Sequence, residues 1–209
     1  MRVLIVDDHP VVRMGIKQML ADEPDIAETM EAKSVSEMME YVRKEDWSVI
    51  VLDITLPDRS GLEALKDIKA IRPELPVLIL SMHPEDQYAV RVLKAGAAGY
   101  VTKESAADEL VKALRKVVSG GRYISPTLAE RLAIAVGGDY DKPPHETLSD
   151  REFQVMCLIA SGKKPAEIAG ELLLSVKTVS TYRARVLEKM NMESNAEITY
   201  YAVKSGLID

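Results

Sequence analysis

Five short apolar runs, each followed by a segment with helical spacing of apolar residues, constrain the fold of this chain more than any other feature. The third run, at residues 49–52, is entirely apolar and mostly β-branched, which is typical of a strand buried on both faces. Alternation of such strands with helices predicts a doubly wound α/β fold, with a five-stranded parallel sheet covered by helices. The predicted strands span residues 2–6, 26–30, 49–52, 76–80 and 99–101, and the predicted helices begin near Pro10, Ser34, Gly61, Pro84 and Ser105.

The pattern changes after residue 122, where strand signals end. Ser125-Pro126 is predicted to open a short amphipathic helix that ends near Val136, and the glycine- and proline-rich residues 137–144 indicate a flexible linker. From residue 148 onward, four short helices are predicted. We therefore expect an α/β domain at residues 1–122, a linker with a short helix at 123–144, and a small all-α domain at 145–209.

Composition limits the classes of function. The chain has 209 residues with 47% hydrophobic content, and its net charge of −6 argues against general coating of nucleic acid or adsorption to a membrane surface. No apolar run approaches the ~18 residues of a spanning helix, and one cysteine, Cys157, offers no disulfide or zinc cluster. We therefore expect a cytoplasmic protein without a membrane partner. The sequence contains neither of the glycine-rich motifs that bind phosphate groups, G-x-x-x-x-G-K-[ST] and G-x-G-x-x-G. The hypothesis of a nucleotide-binding domain therefore has little support.

Acidic residues follow two of the predicted strands. In a sheet of order 2-1-3-4-5 the first and third strands are neighbours, so Asp7, Asp8 and Asp53 should meet at the carboxyl edge, where ligands bind. The fourth and fifth strands should bring Ser81 and Lys103 to the same edge. Clustered carboxylates repel one another and favour a hard cation such as Mg²⁺, beside which a carboxylate can act as a nucleophile and form an aspartyl-phosphate. Ammonium and hydroxyl groups would then bind the phosphate oxygens.

Single residues of this group have simpler interpretations. Asp7 or Asp8 alone is well explained as the N-cap of the following helix, and Lys103 alone as a solvated surface lysine. Capping does not explain Asp53, because the next helix begins only after Pro57. The convergence of acid, hydroxyl and amine at four strand ends therefore favours a joint site.

The C-terminal region contains a helix-turn-helix pattern, formed by residues 165–173 and a longer helix capped by Ser175. One face of the longer helix carries Val176, Val179, Val186 and Met190, and the opposite face with its flanks carries Lys177, Thr178, Ser180, Thr181, Ala184, Arg185 and Glu188. Small, hydroxylated and cationic residues suit a helix in the DNA major groove. An ordinary amphipathic helix with a solvated face explains the periodicity equally well, and eight basic against nine acidic residues from His145 to Asp209 add no electrostatic support.

A family resemblance decides between these interpretations. Asp7-Asp8, Asp53, Ser81, Tyr100 and Lys103 match, in order and spacing, the receiver domain of two-component response regulators. Three segments resemble the NarL/FixJ-like subfamily with a LuxR-type helix-turn-helix output domain, namely Val6-Asp7-Asp8-His9-Pro10, Leu52-Asp53-Ile54-Thr55-Leu56-Pro57 and Lys94-Ala95-Gly96-Ala97-Ala98-Gly99-Tyr100. Two more resemble the LuxR-type domain itself, at residues 148–152 and 174–185.

The resemblance implies roles for residues of the first domain. It implies a flavodoxin-like receiver in which Asp53 accepts a phosphoryl group from a sensor histidine kinase. Asp8, Asp53 and the Thr55 carbonyl would bind Mg²⁺, with Asp7 helping through water. Ser81 and Lys103 would hold the phosphate, and Tyr100 would change its rotamer with it. The receiver would catalyse only its own phosphoryl transfer and dephosphorylation.

For the second domain, the resemblance implies binding of double-stranded operator DNA through Lys177, Thr178, Ser180, Thr181, Ala184 and Arg185. Arg183 lies toward the packed side by wheel angle, and we expect it to pair with Glu152 or Glu167. A single recognition helix reads few base pairs, so a phosphorylation-dependent homodimer is expected. Ile198, Tyr201 and Ala202 of the last helix are its candidate apolar strip. RNA polymerase is a further candidate partner.

Two questions stay open at this level. The receiver could cover the recognition helix until phosphate arrives, or only supply dimer contacts. A Mg²⁺-dependent phosphohydrolase of the aspartyl-phosphate type is the alternative from another functional class. It has weaker support, since such enzymes use a D-x-D pair on the first strand whereas Asp7 and Asp8 are adjacent.

Overall fold

The structure is a computed structural model and describes residues 1–83, 85–126, 128–129 and 143–208. The described residues form two compact units, one in residues 1–129 and the other in residues 143–208. Most of the helix predicted at 125–136, and the linker up to residue 142, lie outside the described residues. Within the described part of the chain, no helix combines the length and apolarity that crossing a membrane requires.

The first unit contains a five-stranded sheet in the order β2-β1-β3-β4-β5, with every pair of neighbouring strands parallel. The predicted strand order is therefore confirmed. The strands are β1 (Arg2–Val6), β2 (Glu28–Ala32), β3 (Val49–Leu52), β4 (Val77–Ser81) and β5 (Gly99–Thr102). Because β1 and β3 pair directly, with Val6 opposite Leu52, the residues that follow them emerge side by side.

Five described helices pack on this sheet: α1 (Pro10–Ala21), α2 (Val35–Lys44), α3 (Gly61–Ile71), α4 (Glu85–Lys94) and α5 (Ala106–Val118). Val3, Ile5 and Val51 point to one side of the sheet, where Ile16 and Leu20 of α1 and Leu110 and Leu114 of α5 bury them almost completely. Each such aliphatic side chain contributes about 1.5–3 kcal/mol of burial free energy. This packing holds the strand ends in fixed positions.

The second strand lies two residues later than predicted, at Glu28–Ala32 instead of 26–30. Its register is set by pairing with β1, where Arg2 lies opposite Glu28 and Val6 opposite Ala32. Its sequence is polar and only Ala32 is buried, so apolar content was a poor guide to its position.

The S-x-x-E pattern predicts capping boxes at three helix starts. At Ser149 both arms form, since Ser149 Oγ accepts from the Glu152 N–H and Glu152 accepts from the Ser149 N–H. At Ser34 and Ser194 the serine accepts as expected, but the glutamate accepts from the residue before the cap, Lys33 or Glu193. The helices begin where predicted even though two boxes are incomplete.

The chain leaving α5 adds to the sheet edge, which the sequence pattern did not indicate. Tyr123 N donates to the Ala98 carbonyl (2.9 Å), and Tyr100 N donates to the Tyr123 carbonyl (3.2 Å). A Cβ on Gly99 would lie 2.6 Å from the Tyr123 carbonyl oxygen, so only glycine fits there.

The second unit consists of a short 3-10 turn (Pro144–Thr147) and four described helices. These are α6 (Asp150–Ala160), α7 (Pro165–Glu171), α8 (Val176–Met190) and α9 (Asn195–Lys204). The helix α7 ends two residues before its predicted end, and Leu173 in the following turn adopts a left-handed conformation with φ 52. Val179, Val186 and Met190 of α8 are buried, together with Ile198 and Ala202 of α9.

Candidate functional site

The carboxyl edge of the first sheet gathers the predicted acidic residues. Asp7 and Asp8 follow β1 and Asp53 follows β3; together with His9, their ligand atoms lie within 4.8 Å of one another. Asp7 and Asp53 are almost fully buried, at 1% and 3% exposure. Two buried carboxylates at this distance repel each other strongly unless positive charge is supplied.

Lys103 supplies part of that charge from the end of β5. Its Nζ lies 2.6 Å from both Asp53 Oδ2 and Asp7 Oδ2, and its side chain is 7% exposed. Burial lowers the pKa of Lys103, but attraction to Asp53 and Asp7 outweighs it and raises that pKa overall. Lys103 is therefore a buried ammonium that bridges two carboxylates.

The single positive charge of Lys103 does not balance the negative charge of the carboxylates in this site. Burial raises the pKa of Asp53 to about 6. Attraction to Lys103 lowers this pKa, but repulsion from Asp7 opposes that effect. Without further positive charge, the Asp53 carboxylate is thus far harder to ionise than an ordinary aspartate.

The donor set fits a hard divalent cation. All three aspartates present oxygen ligands, which Mg²⁺ prefers, and the buried Asp8 Oδ1 meets no well-aligned hydrogen-bond donor among the described residues, although a ring nitrogen lies near it. The His9 ring nitrogen Nδ1 lies 2.7 Å from that oxygen and 3.1 Å from Asp7 Oδ1. Sequence reasoning did not include His9 in the site, although its place directly after Asp7-Asp8 was a sufficient signal.

Ser81 and Tyr100 lie at the ends of the neighbouring strands. Ser81 is fully buried and its Oγ accepts from the His83 N–H at 3.2 Å. The Tyr100 hydroxyl donates to the His83 carbonyl at 2.8 Å, with the ring 3% exposed. Burial raises the Tyr100 pKa, against a smaller opposing effect of its hydrogen bond with Ser81. Both side chains are thus anchored to the loop between β4 and α4.

The loop after β3 is held close to Asp53. The Thr55 N–H donates to Asp53 Oδ1 at 3.2 Å, and Thr55 forms an antiparallel bridge with Ser60. A Cβ on Gly61 would lie 2.0 Å from the Asp53 carbonyl oxygen, so α3 can begin this close to Asp53 only with glycine at its first position. The proposed contribution of the Thr55 carbonyl to a metal remains a prediction.

In the second unit, the predicted DNA-facing residues lie on one exposed surface of α8. Lys177, Ser180, Thr181, Ala184 and Arg185 are exposed, and Thr178 is half-buried. The assignment of Val176 to the packed face is wrong, because it is 49% exposed. It is the first residue of α8, where the preceding turn leaves its side chain uncovered.

The predicted pairing of Arg183 with Glu152 or Glu167 is also wrong. Arg183 Nε donates to Asn195 Oδ1 at 2.6 Å, which joins α8 to α9. Glu152 pairs instead with Lys189, at 2.6 Å, and Glu167 accepts from the Lys164 N–H. The wheel angle identified the inward side of Arg183 but not the helix that packs against it.

Comparisons with known proteins agree with this geometry. A family model described as the response regulator receiver domain matches residues 3–115, and one described as bacterial regulatory proteins, luxR family, matches residues 146–202. Response regulator GacA of Pseudomonas aeruginosa is 37% identical over 209 residues, which cover 100% of this chain and 98% of GacA. The chain belongs to the response regulators. UvrY of Escherichia coli K12 is 37% identical over 206 residues, which cover 98% of this chain and 94% of UvrY.

A solved relative has the same two-part architecture. RcsB from Salmonella enterica serovar Typhimurium, bound to promoter rprA in the presence of the phosphomimetic BeF3⁻, is 28% identical with a TM-score of 0.64 over 97% of this chain and 98% of RcsB. This chain, as a response regulator with a luxR-family domain, is a phosphorylation-dependent, DNA-binding transcription regulator and not a metabolic enzyme. The phosphohydrolase alternative is therefore set aside.

Proposed function

We propose that Asp53 is the phosphoacceptor of this regulator and that a sensor histidine kinase supplies the phosphoryl group. The observation that carries the proposal is the contact of Asp53 with Lys103 beside two further aspartates, of which Asp7 is buried and Asp8 half-buried. Asp7 and Asp8 follow a different strand, which leaves Asp53 as the nucleophile between an acidic pair and an ammonium. Asp7 contacts Lys103 as well, but Asp7 and Asp8 form the adjacent acidic pair that would hold the metal ion, whereas Asp53 lies alone at the end of its strand.

The reaction follows from the charges. An Asp53 carboxylate oxygen attacks the phosphorus of a phosphohistidine, so that a P–O bond forms as the P–N bond breaks and the histidine leaves with its electron pair. Asp7, Asp8 and Asp53 would hold Mg²⁺, with the Thr55 carbonyl as a further ligand; the bound ion neutralises charge on the carboxylates and the phosphoryl oxygens. Lys103 pairs with a phosphoryl oxygen in place of its carboxylate partner. Hydrolysis of the acyl phosphate by water returns Asp53 to its free form.

Ser81 and Tyr100 transmit the change. A phosphoryl oxygen near β4 offers the Ser81 hydroxyl a charged acceptor. Ser81 then turns toward this oxygen and away from Tyr100, and the Tyr100 hydroxyl leaves the His83 carbonyl. The loop between β4 and α4 is therefore the first backbone segment to respond.

The assignment of Asp53 is tested with a small phosphodonor. The full chain is incubated with acetyl phosphate and Mg²⁺, and its intact mass is measured. One phosphoryl adduct is expected in the wild type and in Asp67→Asn, a control that changes an exposed carboxylate paired with Arg59. Asp53→Asn should give none, and omission of Mg²⁺ should abolish the adduct in the wild type and in Asp67→Asn. An adduct that persists in Asp53→Asn would overturn the assignment.

For the DNA interface, we propose that α8 enters the major groove with Lys177, Thr178, Ser180, Thr181, Ala184 and Arg185 toward the DNA. The support is their shared exposed surface and the promoter complex of the relative RcsB. Lys177→Ala should weaken binding to all sequences alike and lower the salt slope by about one if it contacts phosphate. Equal salt slopes in the variant and the wild type would remove Lys177 from the contact set.

We further propose that phosphorylation promotes a homodimer in which α9 takes part, with RNA polymerase as a partner of the DNA-bound form. The strip predicted for this contact requires correction, because Ile198 and Ala202 are fully buried and Tyr201 is occupied by a 2.7 Å hydrogen bond with His145. The exposed apolar residues of α9 are Tyr200 and Val203, at 70% and 52% exposure. Tyr200→Asp should raise the dimer dissociation constant of the phosphorylated chain in sedimentation; an unchanged constant would exclude this face.

A further inference from the structure

The exposed side of α8 offers fewer hydrogen-bond donors than its sequence suggests. Ser180 Oγ donates to the Val176 carbonyl and Thr181 Oγ1 donates to the Lys177 carbonyl, each at 3.0 Å. A hydroxyl has only one hydrogen. While these bonds are in place, Ser180 and Thr181 can accept from a base but cannot donate to one.

The hydroxyls at the start of α8 are also engaged locally. Ser175 Oγ accepts from the Thr178 N–H at 3.1 Å, and the two hydroxyl oxygens lie 2.8 Å apart. Ser175 thus caps the first turn of the helix, and one of the two hydroxyls donates a hydrogen bond to the other. The hydroxyl groups of this face thus serve the helix itself.

Methyl groups make up much of the remaining surface. Val176 is 49% exposed at the first position of α8, and Ala184, which is also exposed, lies a little over two turns further on and about 80° around the helix from it. Thr181 is exposed between them along the helix axis and lies on the far side of Ala184 from Val176, and its methyl group is the part of its side chain that makes no hydrogen bond. The turn before α8 adds Leu173, which is 60% exposed in a left-handed conformation that leucine rarely adopts.

We infer that Val176 and the Thr181 methyl group are specificity-determining residues that contact the C5-methyl groups of thymines in the major groove. The inference rests on the proposed DNA-binding face and names what that face reads. In the major groove the thymine methyl is the one apolar group on a base edge. The first residues of a recognition helix approach the bases most closely, which is where Val176 lies. Lys177 and Arg185 remain as the cationic donors of this surface.

The inference predicts that recognition depends on single methyl groups of the DNA. The probe is a duplex selected from a random-sequence pool by the phosphorylated full chain, with each thymine replaced in turn by deoxyuridine, which removes only the C5-methyl. Loss of one buried methyl contact weakens binding by about threefold to tenfold. We expect such losses at one or two thymines of each half-site.

Variants of the protein assign each methyl contact. Thr181→Ser deletes the methyl and keeps the hydroxyl, whereas Thr181→Val keeps the methyl branch and deletes the hydroxyl. At one position of the duplex, Thr181→Ser should bind equally well whether the base is thymine or uracil. Thr181→Val should retain the wild-type preference for thymine at that position. Val176→Ala should lose the preference at another position. Ile71→Val, which removes one methyl group from an exposed side chain of α3 in the first domain, is the matched control and should behave like the wild type.

The outcomes separate this inference from the proposed function. A selected sequence whose thymines can all be replaced with less than a twofold loss would overturn the methyl contacts while leaving DNA binding intact. Loss of the preference in Thr181→Val, with retention in Thr181→Ser, would assign recognition to the hydroxyl instead and would also overturn them. A pool from which no sequence emerges would overturn the DNA-reading face together with this inference.

Discussion

Asp53→Asn should make the first domain more stable at neutral pH in the absence of divalent cations. Burial raises the pKa of the Asp53 carboxyl to about 6, against 3.8 for an ordinary aspartate. The difference, 6 − 3.8, corresponds to an ionisation penalty of about 3 kcal/mol at pH 8. Asparagine mimics the neutral form and escapes this penalty, but Lys103 then keeps only Asp7 as a partner. We therefore expect a net gain of about 1–3 kcal/mol in the free energy of unfolding.

The sign of the pH dependence follows from linkage. Because the folded-state pKa of Asp53 is raised, the native state binds more protons between pH 4 and pH 6, and wild-type stability falls as the pH rises through that window. Asp53→Asn lacks this loss. The stability difference between variant and wild type should accordingly be largest at pH 8 and fall to about half at pH 5. Saturating Mg²⁺ should shrink it as well, since the ion favours the ionised carboxylate.

The assay is urea unfolding in a chelating buffer, followed by Trp47 fluorescence. Trp47 is the only tryptophan of the chain and is buried in the first domain, so the signal reports that domain alone. The pair of wild type and Asp53→Asn is measured at pH 8 and pH 5, with and without Mg²⁺. A variant no more stable than the wild type at pH 8 in chelator would refute the electrostatic argument, as would a stability difference that grows toward pH 5.

Three further changes have defined outcomes. Gly61→Ala should lower the free energy of unfolding in urea by at least about 2 kcal/mol and slow phosphorylation, because the added Cβ would overlap the Asp53 carbonyl oxygen. The control is Gly15→Ala, at a position of α1 with open space around it, which should be neutral or stabilising by up to about 1 kcal/mol. Lys103→Met should keep the protein folded by circular dichroism but phosphorylate more slowly, and a wild-type rate would contradict the proposed phosphate contact. Glu152→Gln should destabilise the second domain by about 1–3 kcal/mol, because it removes the charged partner of Lys189 from a buried position. The measurement is urea unfolding followed by circular dichroism, and an unchanged midpoint would show that the ion pair contributes nothing to stability.

The sequence was sufficient for the sheet order and for the position of the acidic residues because both follow from buried strands. A strand buried on both faces is an uninterrupted apolar run, as at Val49–Leu52, and parallel pairing then fixes which strand ends meet. The strand Glu28–Ala32 is polar, so the apolar pattern places it two residues too early. Its position depends on pairing with β1, which local composition does not encode.

Contacts between distant elements could not be predicted in this way. The partner of Arg183 is Asn195, and its identity depends on how α9 packs against α8. The pairing of Tyr123 with β5 involves one residue and has no periodicity to reveal it. Val176 carries an apolar side chain at a wheel position shared with buried residues, yet it is exposed because the helix begins there.

The central claim is that phosphorylation of Asp53 controls DNA binding, and one titration tests it most directly. Operator affinity of the full chain is measured by fluorescence anisotropy before and after treatment with acetyl phosphate and Mg²⁺, with the phosphoryl content of each sample determined by intact mass. Affinity should rise in proportion to the phosphorylated fraction, and Asp53→Asn should show neither the adduct nor the rise. Equal affinities at zero and full phosphorylation, or a rise in Asp53→Asn, would contradict the account.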